Sequence, residues 1–398
     1  MSVEVAIVGG GPAGAVLAAR LARRGREVVL LERSPGYRWR ACGVFSSPAS
    51  VASLRDAGLD AASLAALVRP APAMRVETAS GTTFRLTYGD GGSFAAPAVS
   101  FDRARLDPAL LDLARGAGAD VRLGDAVTHV ERGRVVARGP GGERAVAARV
   151  IVGADGIRSS VARAFRVARP PRLGDRVGLT FHVADPGPPA TPRDARMILF
   201  RGGYVGLAPV PGERVNVGIV LGGSWAARLR ADGAEPTVQA VLSGIPPASD
   251  DPVDWRAVER CDAIEGAAPL GHRVARRHGP GWLLIGDAAG FLDPFTGEGL
   301  HRALVSARLA AAAIERYLDG DPDGLASYDR AMTARFTSKD VLSLLVQAFL
   351  ARPALFDYAA RRLADRRPVR ETMGLVMGDL EPASRALDPR FVAALLRP

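Results

Sequence analysis

Three glycines near the amino terminus have the spacing that contact with phosphate groups requires. Gly9, Gly11 and Gly14 form the pattern GxGxxG in "VEVAIVGGGPAGAVLAARLARRGREVVLLERS". The first glycine permits a tight turn, the second lets the backbone approach a pyrophosphate, and the third lets a helix pack against a strand. Pro12 and Ala13 fall where that helix begins, so its amino end would face the phosphates. The pattern predicts a dinucleotide site.

An acidic residue at a suitable distance supports this interpretation. Glu32 follows Gly14 by eighteen positions, where a carboxylate can accept hydrogen bonds from the adenosine ribose hydroxyls. The apolar pattern predicts a strand at residues 3–8, a helix at about 12–24 and a second strand at 27–31. The glycines, the helix and the acid are therefore in register, which is far more specific than GxGxxG alone.

A second glycine-rich stretch, "GDAAGFLDPFTGEG", occupies residues 286–299. The apolar run "GWLLI" before it predicts a buried strand, and "LHRALVSARLAAAAIERYL" after it has helical spacing. Gly286, Gly290, Gly297 and Gly299 let the backbone approach a ligand closely, and a helix that begins near Gly299 directs its free N–H groups there. We expect an electron-rich or anionic ligand, although an ordinary turn-rich loop fits this stretch alone.

A third segment, "ARVIVGADGIRSSVARAF", repeats the pattern of a strand followed by a glycine turn at residues 148–165. Asp155 and Gly156 form the turn, and serine caps the helix that follows. A simple nicotinamide dehydrogenase has no use for this segment. The three motifs, in this order over about 300 residues, resemble the flavoprotein superfamily typified by p-hydroxybenzoate hydroxylase. The stretch "DAAGFLDPFTGEGL" is most similar to its geranylgeranyl reductase branch.

The resemblance implies FAD as the cofactor and gives the second glycine loop its roles. Asp287 is expected to accept hydrogen bonds from the ribityl hydroxyls. The loop from Pro294 through Gly297 is expected to pass the isoalloxazine ring. The backbone N–H groups of Gly299 and Leu300 would face the N1 and C2 carbonyl edge, where negative charge accumulates on reduction. These two residues are therefore expected to act in catalysis as well as in cofactor binding.

The resemblance also implies an α/β fold in three parts. Residues 170–225 alternate apolar and polar side chains between glycine turns, as antiparallel strands do, and helical spacing follows residue 301 with a break at Pro353. The predicted parts are a discontinuous Rossmann-like FAD-binding domain of the GR2 type (1–75, 100–168 and 262–320), a mostly antiparallel substrate sheet (76–99 and 169–261), and a helical carboxyl-terminal region (321–398).

Further cofactor contacts are implied by shorter matches to the family. Arg33 follows the ribose acid, as in the family's "LER". Arg103 in "SFDRARLDPALLDLA" matches an arginine at the start of a helix over the cofactor, with Leu106 where the family has phenylalanine. The turn at Asp155 and Gly156 is associated with both FAD and the nicotinamide donor. The alternatives are an exposed charge at Arg33 and a simple turn former at Asp155.

The segment "RWRACGVFSSPAS" contains a cysteine–glycine pair, Cys42 and Gly43. The pair resembles the "CG" of geranylgeranyl reductases, near the reactive face of the flavin, and this makes Cys42 a catalytic candidate. A lone cysteine is commonly a small buried apolar residue, so both interpretations stay open. The lysine that often precedes the pair in that branch is missing here, which leaves the donor or substrate contact open.

Two strand residues are candidates for substrate contact. The stretch "GGYVGLAPVPGERVNVGIV" resembles a strand of the reductase branch that faces the ligand cavity, so Tyr204 and Asn216 are expected to contact substrate. A strand tyrosine that simply packs is the alternative. His182 and His272 could transfer protons, although each fits a core or surface histidine as well.

Composition restricts the partners. The net charge of +10 comes almost entirely from arginine, because Lys339 is the only lysine. The arginines are dispersed among acids without interleaved aromatic residues, so we expect no nucleic-acid partner. Two cysteines, Cys42 and Cys261, predict neither a disulfide framework nor a metal site.

The apolar pattern bears on location. No uncharged apolar run approaches the roughly 20 residues of a membrane span, and the chain opens on a strand rather than a leader. We therefore expect a cytoplasmic protein without a transmembrane segment. The carboxyl-terminal helices could pack on their own domain, cap the substrate cavity or lie against a membrane surface.

The expected chemistry follows from a flavin. A reduced flavin can pass hydride to an alkene or combine with dioxygen. The resemblance favours reduction of C=C bonds in a hydrophobic, prenyl-like substrate, with electrons from NAD(P)H or another transient donor. One alternative is an NAD(P)H- and oxygen-dependent monooxygenase acting on an aromatic or polyketide-like molecule, and another is a non-catalytic dinucleotide-binding module. The "WxWxIP" element of the halogenases is missing from the sequence.

Overall fold

The protein is described by a computed structural model that covers residues 2–37, 39, 43–89, 97–174, 176–187, 192–245 and 253–397. Cys42 lies outside these described residues, so its role stays a prediction. The described strands are β1 (Ser2–Val8), β2 (Val28–Glu32), β3 (Phe45–Ser46), β4 (Val68–Ala71), β5 (Ala73–Glu77), β6 (Thr83–Thr87), β7 (Ala98–Phe101), β8 (Asp120–Leu123), β9 (Ala126–Glu131), β10 (Arg134–Gly139), β11 (Gly142–Gly153), β12 (Ala168–Arg169), β13 (Val177–Ala184), β14 (Ala195–Phe200), β15 (Gly203–Val210), β16 (Arg214–Leu221), β17 (Glu265–Ala267), β18 (Arg273–Val274), β19 (His278–Gly279) and β20 (Trp282–Leu284).

The described helices connect and cover these strands. They are α1 (Pro12–Ala22), α2 (Ala49–Ala57), α3 (Ala61–Leu67), α4 (Arg103–Gly116), α5 (Ser160–Ala164), α6 (Gly223–Asp232), α7 (Ala234–Ser243), α8 (Gly299–Leu318), α9 (Gly324–Leu350), α10 (Pro353–Asp365), α11 (Arg367–Met377) and α12 (Pro389–Leu396). Short 3₁₀ helices cover Gly156–Arg158, Gly286–Ala289, Pro294–Thr296 and Ala383–Arg385.

The first large sheet has parallel strands at its centre. Its order is β19-β20-β11-β1-β2-β8, and β10 and β9 extend from β11. Val5 and Ile7 of β1 face a core with α1, α4 and α8, whereas Ala6 and Val8 face a second core on the other side. Successive strand side chains point to opposite faces, so burial of both faces requires an apolar residue at nearly every position.

The loop between β1 and α1 needs glycine for reasons of space. Gly9 has φ 109°, and a Cβ atom there would lie 2.4 Å from the carbonyl oxygen of Ala154. A Cβ at Gly14 would lie 2.0 Å from the carbonyl oxygen of Gly9. Helix α1 begins at Pro12, whose fixed φ and missing N–H suit a first turn. The strand, helix and second strand predicted from the sequence are β1, α1 and β2.

The second large sheet is antiparallel except at one pair. Its order is β17-β13-β16-β15-β14-β5-β6, and β14 and β5 are parallel. One face packs against α6 and α7 through residues such as Phe181 and Val217. The opposite face meets the glycine loop at 286–299 and the carboxyl-terminal helices through residues such as Met197 and Tyr204. The predicted α/β class with a mostly antiparallel second sheet is confirmed, while the exact domain boundaries stay predictions.

The carboxyl-terminal region is helical, as predicted. Helix α9 ends at Leu350, and α10 begins at Pro353, where the proline break was expected. Among the described residues, no single helix is long and apolar enough to cross a membrane. Only α9 and α10 taken together reach that length and apolarity, and they are bent by 115°.

Candidate cofactor and substrate site

The amino end of α1 offers free backbone donors at the carboxyl edge of the first sheet. A Cβ at Gly11 would meet no atom within 4 Å, so the backbone is accessible there. Within the described part of the chain, no side chain caps this helix. The N–H groups of its first turn therefore remain available, together with the positive end of the helix dipole, for an anionic group such as a pyrophosphate.

Glu32 lies beside this helix start at the end of β2. Its Oε2 accepts a hydrogen bond from the Gly10 N–H at 2.8 Å, and its Oε1 accepts one from the Ser34 N–H at 3.0 Å. The side chain is 8% exposed. These bonds hold the carboxylate where a ribose would meet the glycine loop. Arg33, the neighbouring candidate, is solvent-exposed.

The turn at Asp155 and Gly156 lies beside the first glycine loop, because a Cβ at Gly9 would lie 2.9 Å from the Cα of Asp155. Oδ2 of Asp155 accepts hydrogen bonds from the N–H and the hydroxyl of Ser160, both at 2.6 Å. Its Oδ1 is buried and has no hydrogen-bond partner among the described residues. A Cβ at Gly156 would meet no atom within 4 Å. The turn therefore combines a helix-start role with a polar oxygen that a ligand could satisfy.

His272 is a polar residue of this region that the sequence did not single out for the cofactor. Its backbone exchanges two hydrogen bonds of 2.8 Å with Phe291 of the glycine loop. Burial lowers the pKa of His272, and a hydrogen bond to the Ala288 backbone and the charge of Asp155 oppose this shift. Nε2 of His272 is buried without a partner in the described part of the chain. Its contacts are with distant segments, so no local pattern marks it.

Asp287 lies where the two glycine motifs meet. A Cβ at Gly286 would lie 2.9 Å from the Cβ of Ala13, so the loop packs directly on α1. Burial raises the pKa of Asp287 to about 6, while the charges of Arg103 and Arg302 act in the opposite direction. A row of hydroxyl donors, as on a ribityl chain, would compensate for the lost hydration of this carboxylate.

The loop at Pro294–Thr296 is held by Asp293, a residue that the sequence did not identify. Oδ1 of Asp293 accepts the Phe295 N–H at 3.0 Å and the Tyr204 hydroxyl at 2.6 Å. Oδ2 accepts a hydrogen bond from Arg176 at 2.7 Å, and the same guanidinium donates to Gln347 at 2.5 Å. Burial and Asp293 raise the pKa of Tyr204. Tyr204, a substrate candidate, thus anchors the loop through its hydroxyl.

The start of α8 resembles that of α1 in having no side-chain cap. No side chain of the described residues caps it, and a Cβ at Gly299 would meet only Phe291, at 3.9 Å. Leu300 is buried. The first N–H groups of α8, including those of Gly299 and Leu300, therefore have no side-chain acceptor among the described residues.

Arg103 joins this region to the segment that follows Cys42. Its guanidinium binds Asp107 through two hydrogen bonds, of 2.7 and 2.9 Å, and donates to the carbonyl of Gly43 at 3.1 Å. Phe45, two residues later, packs so closely on Gly297 that a Cβ there would lie 2.8 Å from its ring. Two cofactor candidates, Arg103 and Gly43, are therefore in direct contact.

A buried charged cluster lies behind the loop. Lys339 donates to Asp379 and to the Val376 carbonyl, both at 2.8 Å, and lies 3.8 Å from Glu298. Burial raises the pKa of Glu298. Burial would also raise the pKa of Asp379, but Lys339 and His301 lower it overall. The sequence signal for this cluster was the presence of a single lysine among arginines.

These features define a class of protein. Two uncapped helix starts, an acid beside the first glycine loop and buried oxygen and nitrogen atoms without partners fit the pyrophosphate, ribose and ring of FAD. In the described ranges, no group of three or more His, Cys, Asp or Glu residues could hold a metal ion. The fold and the site are those of an FAD-dependent oxidoreductase.

Comparison with known proteins gives the family. The model described as "FAD binding domain" matches residues 2–339, so the chain belongs to that family. It lies in the p-hydroxybenzoate-hydroxylase-like superfamily, in the geranylgeranyl reductase branch, as its sequence motifs predicted.

Two curated relatives are reductases. A menaquinone reductase of Mycolicibacterium smegmatis is 30% identical over 330 residues, which cover 77% of this chain and 75% of the relative. A digeranylgeranylglycerophospholipid reductase of Methanopyrus kandleri is 29% identical over 338 residues, covering 81% and 82%.

Solved structures support the fold. A geranylgeranyl bacteriochlorophyll reductase-like protein of Thermoplasma acidophilum has a TM-score of 0.76 at 21% identity and covers 97% of this chain and 98% of its own. The flavin-dependent brominase Bmp2 has a TM-score of 0.75 at 19% identity and covers 95% and 94%. Because halogenases share this fold with reductases, the fold alone does not select a reaction.

Proposed function

We propose that this FAD-dependent oxidoreductase reduces C=C bonds of a hydrophobic, prenyl-like substrate. The observation that carries the proposal is the apolar cluster between the second sheet and the carboxyl-terminal helices, next to the loop that Asp293 anchors. Met197 and Tyr204 of the sheet pack there with Phe295 of the loop and with Leu342 and Phe356 of the helices. A substrate site bordered by this packed cluster would suit a hydrocarbon chain and would exclude water from the reaction.

A mostly apolar cavity, with Thr78, Ser80 and Asp357 on one side, shares Leu199 and Phe356 with this cluster. It has a volume of about 400 Å³ and is lined partly by Leu199, Leu350 and Phe356. Pro353 and Ala354 at its edge are exposed, so the cavity reaches solvent. A prenyl chain longer than the reaction site could extend through it. The names of the two reductase relatives, which refer to lipid-like substrates, support this choice of substrate class.

The chain's own residues would position the reactants and balance charge. Bound FAD would supply hydride to one alkene carbon, and a proton would reach the other. The N–H groups of Gly299 and Leu300 would stabilise negative charge on the reduced cofactor, and Asp293 and Tyr204 would keep the loop in place. Cys42 is proposed to lie near the reactive face. NAD(P)H or a low-potential carrier would bind transiently as donor.

Contact with a membrane surface is also part of the proposal. Val341 and Leu345 in the second half of α9 and Leu355 in the first turn of α10 are large exposed apolar residues. Exposed Arg352 lies at the bend between the two helices. Apolar side chains together with basic ones suit the surface of an anionic bilayer, from which a lipid-like substrate could enter the neighbouring cavity.

The test is an anaerobic turnover experiment. The FAD-loaded protein is reduced with NADPH or dithionite, and a geranylgeranyl lipid, which has no quinone head to accept the electrons, is then added without oxygen. We expect the flavin to reoxidise and the product to gain two hydrogen atoms by mass spectrometry, whereas the fully saturated analogue should do neither. Reoxidation only in air, with an oxygenated product, would instead establish a monooxygenase. Flavin binding without any reoxidation by substrate would favour a non-catalytic module.

A Cys42→Ala variant tests the catalytic candidate in the same assay. It should bind FAD normally and reoxidise more slowly with the alkene substrate. Cys261→Ala is the matched control, because Cys261 is exposed. Equal rates in the two variants would remove Cys42 from the mechanism.

A further inference from the structure

One face of the second sheet forms a trough with a polar end and an apolar end. Across the strands, neighbouring residues on this face run in the order Thr180, Gly218, Gly206, Met197 and Val76. The two glycines are directly paired at the centre of this row. Side chains therefore rise at both ends of the row and are missing from the middle.

Among the described residues, only atoms of the sheet itself lie close above the glycine pair. A Cβ at Gly218 would meet only Nδ2 of Asn216, at 3.7 Å, and the carbonyl of Gly206, at 3.9 Å. A Cβ at Gly206 would meet Met197 at 3.7 Å and the carbonyl of Gly218 at 3.9 Å. All of these atoms belong to the sheet itself. No described residue of the opposite wall comes within 4 Å, so a flat or narrow ligand can lie on this floor.

The trough has walls on two sides. Along β15, Tyr204 lies on one side of Gly206, and its hydroxyl donates to Asp293 of the glycine loop at 286–299. On the other side of Gly206, Ala208 and Val210 pack with Val44 of the segment that follows Cys42. The trough thus lies between the two segments that the proposed function places at the flavin.

The polar end carries a carboxylate–imidazole pair. Nδ1 of His182 lies 2.6 Å from Oδ2 of Asp262, whose Oδ1 accepts the His182 backbone N–H at 2.7 Å. Trp39 packs on the imidazole with ring centroids 4.4 Å apart. With Nδ1 bound to the carboxylate, Nε2 can accept a hydrogen bond from a hydroxyl, or donate one to a carbonyl when the ring is protonated.

Asn216 adds a donor beside the imidazole. It is paired with His182 across the strands, and its Oδ1 accepts the Thr180 hydroxyl at 2.9 Å. This bond orients the amide so that Nδ2 lies above Gly218. In the part of the chain that the structure describes, Nε1 of Trp39 is buried without a partner. Polar groups of several kinds therefore converge on one end of an otherwise apolar floor.

We propose that this polar end binds an uncharged oxygen, a hydroxyl or a carbonyl, at the head of the prenyl substrate. Asn216 Nδ2 donates to that oxygen, and the His182–Asp262 pair accepts from a hydroxyl or donates to a carbonyl. The hydrocarbon chain crosses the glycine floor towards Met197 and Val76. The inference rests on the proposed function for the nature of the chain, and it adds the recognition of the head.

The experiment measures binding without turnover. Oxidised, FAD-loaded protein is titrated with three ligands through the change in flavin or tryptophan fluorescence. The ligands are a prenylated naphthoquinone, geranylgeraniol, and a prenyl hydrocarbon of the same length without oxygen. Variants Asn216→Leu and His182→Phe remove the hydrogen-bonding groups at similar volume. His129→Phe is the control, because His129 is an exposed residue of β9.

Each trough variant should weaken binding of an oxygen-bearing ligand roughly five- to tenfold, as loss of one hydrogen bond does. Hydrocarbon binding should change less than twofold, and His129→Phe should leave all three ligands unaffected. Preference for the quinone or for the alcohol identifies the source of the oxygen. Equal losses for hydrocarbon and oxygen-bearing ligands, or no loss for either, would overturn the inference.

A milder variant and the turnover assay keep the interpretation clear. Asp262→Asn retains the shape of the pair, and FAD content and thermal midpoint report whether each variant folds. A smaller weakening in a fully folded Asp262→Asn protein supports the pair's role, and no change contradicts it. If the protein never reduces alkenes but the head-dependent binding persists, the proposed function fails and the trough stands. If the wild type reduces alkenes while the variants bind oxygen-bearing ligands normally, the proposed function stands and the inference about the trough fails.

Discussion

Asp293 connects three parts of the molecule through one carboxylate. It accepts hydrogen bonds from the Phe295 N–H of the glycine loop at 286–299 and from the Tyr204 hydroxyl of the second sheet, and it forms an ion pair with Arg176. Its side chain is 2% exposed. A buried charge is stable only when it is paired and hydrogen-bonded, so the position of this loop depends on residues more than eighty positions away in the sequence.

Tyr204→Phe tests this connection. The change keeps the ring in the apolar cluster and removes only the hydrogen bond to Asp293. The free energy of unfolding should therefore fall by about 1–2 kcal/mol. Chemical denaturation measures the difference. Tyr358→Phe is the control, because that hydroxyl donates to a backbone carbonyl near the carboxyl terminus. A loss no greater than the control's would mean that the tyrosine does not hold the loop.

The raised pKa of Asp287 predicts how the stability of the FAD-free protein varies with pH. Burial moves this pKa from 3.8 to about 6, so the folded apoprotein binds the proton more tightly than the unfolded chain does. Stability should therefore fall as pH rises from 3.8 to about 6 and should stay lower above that range, by up to about 3 kcal/mol. Asp287→Asn should remove this pH dependence of the free energy of unfolding. Denaturation curves at several pH values would show it, and parallel profiles for the two proteins would contradict it.

The affinity for FAD should vary with pH in the opposite direction to the stability if Asp287 binds the ribityl hydroxyls. Hydroxyl donors favour the charged carboxylate, so FAD should bind more tightly as pH rises through about 6. Titration of the apoprotein with FAD across this range tests the expectation. Asp287→Asn should bind FAD more weakly at pH 7 and with little pH dependence. A mutant with the wild-type profile would place the ribityl chain elsewhere.

At the scale of elements, the sequence predicted those features that are local. The βαβ unit, the start of α8 at Gly299 and the break at Pro353 all depend on residues within a few positions of one another. Glycine and proline limit the backbone directly, and apolar spacing distinguishes a helix from a strand. Such patterns can be interpreted from the sequence without knowledge of the tertiary structure.

The features that the sequence did not reveal depend on distant partners. Asp293 meets Tyr204 across 89 positions, and His182 meets Asp262 across 80. The sequence alone favoured a core or surface histidine at His182, and only the fold places Asp262 and Trp39 beside it. A single sequence gives residue types but not which strands pair, so these polar groups became interpretable only with the fold.

The packing of α9 against α8 and α11 depends on the buried lysine. Lys339 is 3% exposed and pairs with Asp379, while Glu298 at the start of α8 lies 3.8 Å away. Lys339→Met would leave Asp379 buried without its lysine, while Glu298 would keep Arg302 at 3.7 Å. We expect a loss of about 3–5 kcal/mol in unfolding free energy. Arg330→Met, at an exposed position of the same helix, should change stability by less than about 0.5 kcal/mol.

A second substitution separates charge from packing at this cluster. Combining Lys339→Met with Asp379→Asn removes a charge of each sign, so it should recover part of the loss. The pKa of Asp379 is lowered in the folded protein. The contribution of its carboxylate to the free energy of unfolding is therefore present above the carboxyl's unfolded pKa and is lost as pH falls below it. A double variant less stable than Lys339→Met would show that the lysine acts through packing instead.

At the scale of the whole molecule, charge and exposed apolar area coincide at one bend. The chain has a net charge of +10, and exposed Leu345, Arg352 and Leu355 lie within a few residues of the 115° bend between α9 and α10. The apolar cavity reaches solvent at the same place. We therefore expect the protein to bind vesicles that contain anionic phospholipid more strongly than neutral ones, and less strongly as salt increases.

Leu345→Glu combined with Leu355→Glu tests whether this bend makes the contact. Two carboxylates should oppose insertion and repel the anionic surface, so the fraction that sediments with anionic vesicles should fall several-fold. His129→Glu adds a charge at an exposed residue of β9 and should change binding only slightly. Turnover of a short, water-soluble prenyl substrate should be retained, because the bend lies outside the reaction site. Wild-type vesicle binding by the double variant would mean that membrane contact, where it occurs, involves another face.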